Sequence, residues 1–279
     1  MSLNYSESLK PYENKGKVGM NEIYDPLNVL ESKVDKLYQL IKEAKCIVVY
    51  CGAGISTSSG IPDFRGPNGV WTLEKKGQKS ISVSFLDAKP SYTHIALKKL
   101  YENKIIHFVI SQNVDGLFHR SGFPMNAIAE LHGNVFVEKC DKCNRKYYRP
   151  YVIGSVGLKA TGRRCEGTLS NKPCRGKLLD FTLDWDDELP EPDFTIAKKH
   201  ARKADLSIAL GTSLQIEPVG LLPLLPRRKS IKGNFVTVNL QKTKHEKKAS
   251  LAIHGKVDDV MKSLMEKLNL SITDEDYSH

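Results

Sequence analysis

Three observations predict an α/β fold built on a parallel sheet. Short apolar runs alternate with amphipathic helical patterns along most of the chain. These runs are apolar at nearly every position, as strands covered on both faces must be. Each run ends directly in small or amide residues, the chemistry found where parallel sheets bind ligands beyond their strand ends. One cysteine-bearing stretch breaks the rhythm.

The elements follow in order. Residues 1–26 mix Tyr, Pro, Gly and charge without a period, so an arm lying on the surface or partly disordered is expected. Leu30, Val34, Leu37, Ile41 and Ala44 recur at helical spacing and predict a helix over 28–44. The run 46–50 reads as a buried strand entering Gly52-Ala-Gly54. Further strands are expected at 105–110, 206–210 and 235–238, and helices at 93–102, 193–203 and 257–268. Their polar ends are Gly52-Ala-Gly-Ile-Ser56, Ser111-Gln-Asn-Val-Asp115, Gly211-Thr-Ser213 and Asn239-Leu-Gln241. Four separate segments are thereby aimed at one crevice. The end, 269–279, is a short, polar, acidic tail.

Composition bounds the class. The chain has 279 residues, 40% hydrophobic and 27% charged, which excludes wholesale disorder and a fibrous repeat. No apolar stretch approaches the length of a transmembrane helix, and 1–17 has no secretory apolar segment, so no membrane association is expected. The net charge is +10, and 139–177 alone carries 11 Lys and Arg against 2 Asp and Glu, a formal +9. Such a stretch suits polyanions.

That same stretch holds four of the six cysteines, as Cys140-x-x-Cys143 and Cys165-x8-Cys174. A Cys-x-x-Cys turn offers zinc two thiolates, and a second pair completes a tetrahedral, closed and therefore structural site. Cys46 and Cys51 flank a strand and read as core thiols.

The glycines after the first strand suit backbone approach to a pyrophosphate. Thr57 stands where a dehydrogenase fingerprint needs its third glycine, and the prolines of Gly60-Ile-Pro-Asp-Phe-Arg-Gly66-Pro67 preclude a long crossover helix. A phosphate turn followed by an ordered loop is expected, without hydride transfer. In that loop Asp63 is an acid, Phe64 an aromatic plate and Arg65 a cation fit for pyrophosphate. His132, before Gly133, is a candidate general base because imidazole titrates near neutrality.

Together Gly52-Ala-Gly-Ile-Ser56, Gly60-Ile-Pro-Asp-Phe-Arg65, Gln112-Asn-Val-Asp115, His132-Gly133, the paired cysteines and Gly211-Thr-Ser213 resemble the sirtuins, from about residue 27 to 268. Asn4-Tyr5, Pro11-Tyr12, Lys15-Gly16-Lys17, Gly66-Pro-Asn-Gly-Val-Trp71, Asp184-Trp185 and Leu214-Gln-Ile216 look like the class IV, sirtuin-six type. Cys165 and Cys174 stand closer than that branch's usual spacing.

The resemblance implies a Rossmann-like parallel sheet with helices on both faces, assembled from 27–138 and 180–268, with a small zinc-binding module inserted at 139–179. It implies an enzyme that consumes NAD to remove acyl groups from protein lysine, releasing nicotinamide and acyl-ADP-ribose. His132 matches the catalytic base. Ala53, Thr57, Phe64, Arg65 and Trp71, with Asp63 beside them, match the phosphate and nicotinamide side of NAD. Gln112, Asn113 and Asp115 match its ribose and nicotinamide pocket, and Gly211, Ser213, Asn239, Gln241 and Val257 its adenosine half. Asp184 and Trp185 match the strand that pairs with the acyl-lysine peptide. Histones are the implied substrates, the nucleus the implied location, and DNA or nucleosome contact through the basic module an accompaniment. Arg227-Arg-Lys229 is a candidate import signal. Two other readings share these residues: mono-ADP-ribosyl transfer to protein at the same site, and chromatin binding with little catalysis.

Overall fold

The computed structural model describes residues 2–228 and 233–277; the candidate import signal falls across the edge of these, with Lys229 outside them. The core is a six-stranded sheet of β1 (Ile47–Cys51), β2 (Phe108–Ser111), β3 (Ile128–Glu130), β10 (Leu206–Leu210), β11 (Asn234–Val238) and β12 (Leu251–Ile253). The order is β12-β11-β10-β1-β2-β3 and every pairing is parallel. The strands predicted from the four apolar runs are β1, β2, β10 and β11, with β2 beginning later than expected. The outer pair, β3 and β12, has three residues each, too short for the sequence pattern to announce.

Side-chain alternation divides the sheet into two faces. Ile47, Val49 and Cys51 point one way, where α2 (Leu27–Glu43), α4 (Tyr92–Glu102) and α7 (Val257–Lys267) cover them. Val48 and Tyr50 point the other way, toward α6 (Asp193–Lys203) and a 3-10 segment, Val219–Arg228. Helices therefore lie on both faces, as in Rossmann-like folds. The α2 stripe of Val34, Leu37 and Ile41 is buried; each such side chain contributes roughly 1.5–3 kcal/mol by leaving water. Among the described residues, no helix is long and apolar enough to cross a membrane.

A second sheet leaves the first beyond β3. It consists of β4 (Gly133–Cys140), β5 (Lys146–Tyr148), β6 (Ala160–Arg164) and β9 (Lys177–Thr182), ordered β5-β4-β9-β6 and antiparallel, beside the small hairpin β7 (Thr168–Leu169) and β8 (Lys172–Pro173). Glu138 is buried in its centre and accepts from Arg149 Nε at 2.6 Å and Arg163 Nε at 2.8 Å. The basic composition of this stretch is thus partly used to neutralise its own core.

The amino-terminal arm contains α1 (Ser2–Ser8) and then an irregular strap. It is tied down by backbone bonds from Gly19 N–H to Arg65 O and from Ile23 N–H to Leu240 O, both under 3 Å. The end of the chain is anchored as well: Lys99 and Asp276 pair at 3.0 Å.

Leu37→Ala removes a fully buried side chain from the α2–sheet contact. We expect it to lower unfolding free energy by about 2–5 kcal/mol, read from the urea midpoint at unchanged m-value; a loss under about 0.5 kcal/mol contradicts this packing.

Candidate active site

The carboxyl ends of the central strands lie level. Cys51 pairs with both Leu210 and Ser111, and Leu210 pairs with Val238. A cleft of about 230 Å³ opens just beyond them. Its lining includes Ala53, Gln112, Asn113, Gly211 and Ser213, together with Asn239, Gln241, Asp184 and Trp185.

Glycine makes this convergence possible. A Cβ on Gly52 would stand 2.7 Å from the Gly211 carbonyl oxygen, and one on Gly54 would stand 2.7 Å from Gly211 Cα. Gly54 N–H donates to Gly211 O at 2.9 Å, and Gly211 itself has φ +58. The sequence suggested that these glycines admit a pyrophosphate. What they demonstrably admit is a second backbone, which brings the β1 and β10 turns into one wall. Two short 3-10 turns, Ala53–Ile55 and Thr57–Ser59, follow in place of a crossover helix.

Ser56 carries a role that motif reading missed. It is fully buried, and its hydroxyl donates to Asp115 Oδ2 at 2.7 Å and accepts from Asn113 Nδ2 at 3.3 Å. Asn113 also donates to Gly52 O, and Leu117 N–H donates to Asp115 Oδ1. Asp115 therefore holds two loops in register and does not line the cleft. Nor does Thr57, whose hydroxyl donates to Gly54 O, nor Val257, which is packed at the start of α7. The spacing of Ser56 from Asp115 gave no sign of their contact.

The loop after β1 wraps around Asp63. Gly66 N–H donates to its carboxylate, and Cβ atoms on Gly66 or Gly69 would stand 2.5 Å from its oxygens. Burial raises the Asp63 carboxyl, with the Gly66 bond opposing. Arg65 is nearly buried, and burial pushes it down to about 10 against the pull of Asp63, so it remains a cation at neutral pH. Its guanidinium lies 4.5 Å over the Trp71 ring, and the Phe64 and Trp71 rings are 4.5 Å apart.

His132 lines the cleft as well. Its Nδ1 is 3.1 Å from Gln112 O. A carbonyl only accepts, so Nδ1 carries the proton and Nε2 keeps its lone pair. Burial pushes His132 down to about 4, with the Gln112 bond opposing and Arg65 adding to the drop. The ring is thus neutral at physiological pH. Nε2 is buried without a hydrogen-bond partner, and so are Arg65 Nη2 and Trp185 Nε1. Buried polar groups normally find partners. Three orphans bordering one cleft mark where a ligand's polar groups belong.

The arm forms the cleft's outer wall, an element to which the sequence assigned no role at the site. Arg65 Nε donates to Lys15 O at 2.9 Å, Gln241 Nε2 donates to Met20 O, and Trp71 Nε1 meets Ser6 Oγ at 3.2 Å. Gln215 and Lys17 exchange two bonds, Lys10 N–H donates to Asp184 Oδ1, and Tyr12 stacks on Trp185 at 4.5 Å.

Away from the cleft, Cys140, Cys143, Cys165 and Cys174 bring four sulfurs within 4.8 Å of one another. The Cys140–Cys174 and Cys143–Cys165 separations are both 3.6 Å, too long for disulfides. Zinc–sulfur bonds of ~2.3 Å in a tetrahedron demand sulfurs ~3.8 Å apart, so the four thiols fit that ion. Supporting contacts are present too: Lys142 N–H and Cys143 N–H point to Cys140 Sγ, and the Tyr147 hydroxyl lies 3.1 Å from Cys165 Sγ. A Cβ on Gly176 would stand 2.4 Å from Cys140 Sγ, which explains a glycine there. Of the other cysteines, Cys51 is a core thiol and Cys46 is half-buried at the start of β1.

Comparison with known proteins agrees with this arrangement. The profile of the Sir2 family matches residues 78–218. The NAD-dependent protein deacetylase SRT1 of Arabidopsis thaliana is 49% identical over 98% of this chain, which spans 57% of that protein's length. The NAD-dependent protein deacetylase Sirt6 of Drosophila melanogaster is 47% identical over 98% of this chain and 86% of its own. A solved structure of Sir2 with a p53 peptide and NAD+ superposes with a TM-score of 0.65 at 31% identity, covering 85% of this chain and 99% of that one.

We expect one zinc per chain by elemental analysis. Chelation lowers the thermal midpoint because structural zinc contributes folding energy directly. An unchanged midpoint after verified metal removal contradicts a structural role.

Proposed function

This chain belongs to the Sir2 family, and from that premise we propose that it is an NAD-dependent protein-lysine deacylase. The observation that carries the reading is that His132, Arg65 and Trp185 line one cleft at the strand ends while His132 Nε2, Arg65 Nη2 and Trp185 Nε1 lack hydrogen-bond partners. NAD fits that cleft chemically. Arg65 supplies a cation for pyrophosphate, Phe64 and Trp71 supply planes beside the nicotinamide end, and Gln112 and Asn113 supply amides. Gly211, Ser213, Asn239 and Gln241 face the adenosine half.

When bound, NAD supplies an electrophilic ribose carbon that exchanges nicotinamide for the acyl oxygen. The protein's own work is positioning and proton handling. Gln112 O fixes the His132 tautomer, which presents Nε2 as the base for a ribose hydroxyl. Ser56, Asn113 and Asp115 hold the loop that places Gln112. Asp184 and Trp185 line the same cleft, and on this reading they receive the acyl-lysine segment of a protein substrate. The four thiolates leave a tetrahedral ion no open position, so zinc holds its module and stays out of the reaction.

Histones are the substrates we propose, with DNA or nucleosome contact through the basic module and a nuclear location. Lys142, Arg145, Arg164, Lys172, Arg175 and Lys177 are exposed on that module. They offer polyanions a surface that Glu138 leaves unneutralised. Filter binding to duplex DNA that weakens steeply with salt is expected; affinity indifferent to salt removes this part.

The decisive assay incubates acetyl-lysine and myristoyl-lysine histone peptides with and without NAD, followed by mass spectrometry. NAD-dependent loss of the acyl group with acyl-ADP-ribose formed is the expected result. An ADP-ribose adduct on protein, with both peptides intact, selects transfer instead. His132→Tyr should lower turnover by at least 10²-fold, within the range typical of a lost general base, with zinc content unchanged. The pH profile gives a further check. Because burial holds His132 near 4, the base is already neutral from pH 6 to 8, and kcat/KM falls only as pH drops toward about 4. An acid limb centred near 6.5, the value of an unperturbed imidazole, contradicts the buried base.

A further inference from the structure

The structure assigns a second binding site, for a small organic oxyanion carried on an aromatic body, to the junction between the short helix α5 (Leu117–Arg120) and the antiparallel sheet. A cavity of about 470 Å³ opens there, and it shares no lining residue with the cleft described above. The proposal does not depend on the deacylase reading.

Two arginines line the cavity, one from each side of the junction: Arg120 ends α5, and Arg149 follows β5. Arg149 is held in place. Its backbone N–H donates to Phe136 O at 2.8 Å, and its Nε donates to the buried Glu138 carboxylate at 2.6 Å. Its Nη2 is buried and has no hydrogen-bond partner. A guanidinium carries five N–H groups in a rigid fork, so the Glu138 contact leaves donors over. Buried donors normally find partners. Glu138 is also shared with Arg163, so one carboxylate answers two cations. Arg120 adds a third cation: its Nη1 donates to Phe85 O at 2.8 Å, and among the described residues it pairs with no carboxylate. The nearest opposing charge on β4's own network is Glu130, which accepts from Asn134 and does not line the cavity. Burial pushes Glu130 up to about 7, with Lys146 opposing, so it is only partly ionised at neutral pH.

The remaining lining is largely apolar or aromatic. Leu86, Phe136, Tyr148 and Pro150 contribute, and His119 stacks on Tyr148 at 4.1 Å. Burial lowers His119 and raises Tyr148, so both rings are uncharged at neutral pH. The walls are preformed. Asn134 is fully buried, donates to Glu130 Oε1 and accepts from Phe136 N–H. A Cβ on Gly116 would stand 2.6 Å from the Phe136 ring. A few fixed polar groups set among apolar walls are the usual make-up of a small-molecule site. An uncharged ligand leaves Arg149 Nη2 unmet, and a bare inorganic anion leaves the ring surfaces against water. A carboxylate or phosphate monoester on a ring satisfies both.

The test titrates the full chain by calorimetry with benzoate, phenyl phosphate, benzamide and inorganic phosphate. ADP-ribose is kept present to occupy the cleft that contains Arg65. Benzoate or phenyl phosphate is expected to bind once per chain, at least tenfold tighter than benzamide and inorganic phosphate, and the tighter of the two names the anion. Arg149→Lys keeps a charge for Glu138 but loses the fork, and Arg120→Gln removes the unpaired cation; each should weaken binding at least tenfold, the scale of one charge-assisted hydrogen bond. Tyr148→Leu should weaken the ring-bearing anions and leave inorganic phosphate unchanged. If Arg149→Lys lowers the thermal midpoint, Arg120→Gln decides by itself. Failure of both anions to bind the unmodified chain, equal binding of benzamide, competition by ADP-ribose, or affinities within twofold in both arginine variants overturns the proposal. None of these outcomes bears on NAD-dependent turnover, which is assayed separately.

Discussion

The site depends on one close contact, the meeting of Gly52 and Gly54 with Gly211. Side chains at these positions would collide with backbone within 3 Å. Only with all three absent do the turns after β1 and β10 touch, and only then do Ala53, Gln112 and Ser213 face one volume. The parallel register supplies the rest: strands ending at one level deliver their loops to one edge. Ser56 and Asp115 extend this order one layer further, fixing the loop whose carbonyl orients His132.

The arm shares its anchors with the cleft. Arg65, Trp71 and Gln241, which line the cleft, also hold Lys15, Ser6 and Met20. A group that binds the strap and borders a ligand couples the two, since ordering either lowers the entropic cost of ordering the other. The aromatic run Tyr12, Trp185, Trp71 and Phe64 continues that link across the mouth, with neighbouring rings 4.5–5.3 Å apart. This part of the cleft is thereby built from three distant parts of the chain.

The cysteine module obeys a different logic. Its sheet buries Glu138 between two arginines, and its four thiols converge without a large apolar core behind them. Such a small layer gains its order from ion pairing and metal. The main sheet, covered on both faces, needs neither.

Much of this was legible in the chain. The strands at β1, β2, β10 and β11, the amphipathic α2 and the four converging cysteines are written as local patterns: runs apolar throughout, a 3.6-residue period, a Cys-x-x-Cys turn. So was the crevice, because polar residues follow each strand. Other features have no local pattern to carry them. Residues 1–26 lack any period, and their place over the cleft comes from partners such as Arg65 and Asp184, far along the sequence. Asp115, matched to NAD by motif, is buried and holds Ser56 and Leu117, while Thr57 is exposed with its hydroxyl on Gly54 O, because hydrogen-bond partners are chosen in space. The sequence by itself determined the elements and the chemistry available. Tertiary structure alone decided which side chains line the cleft and that Tyr5 is one of them, because contacts between distant residues follow from packing, which no local period encodes.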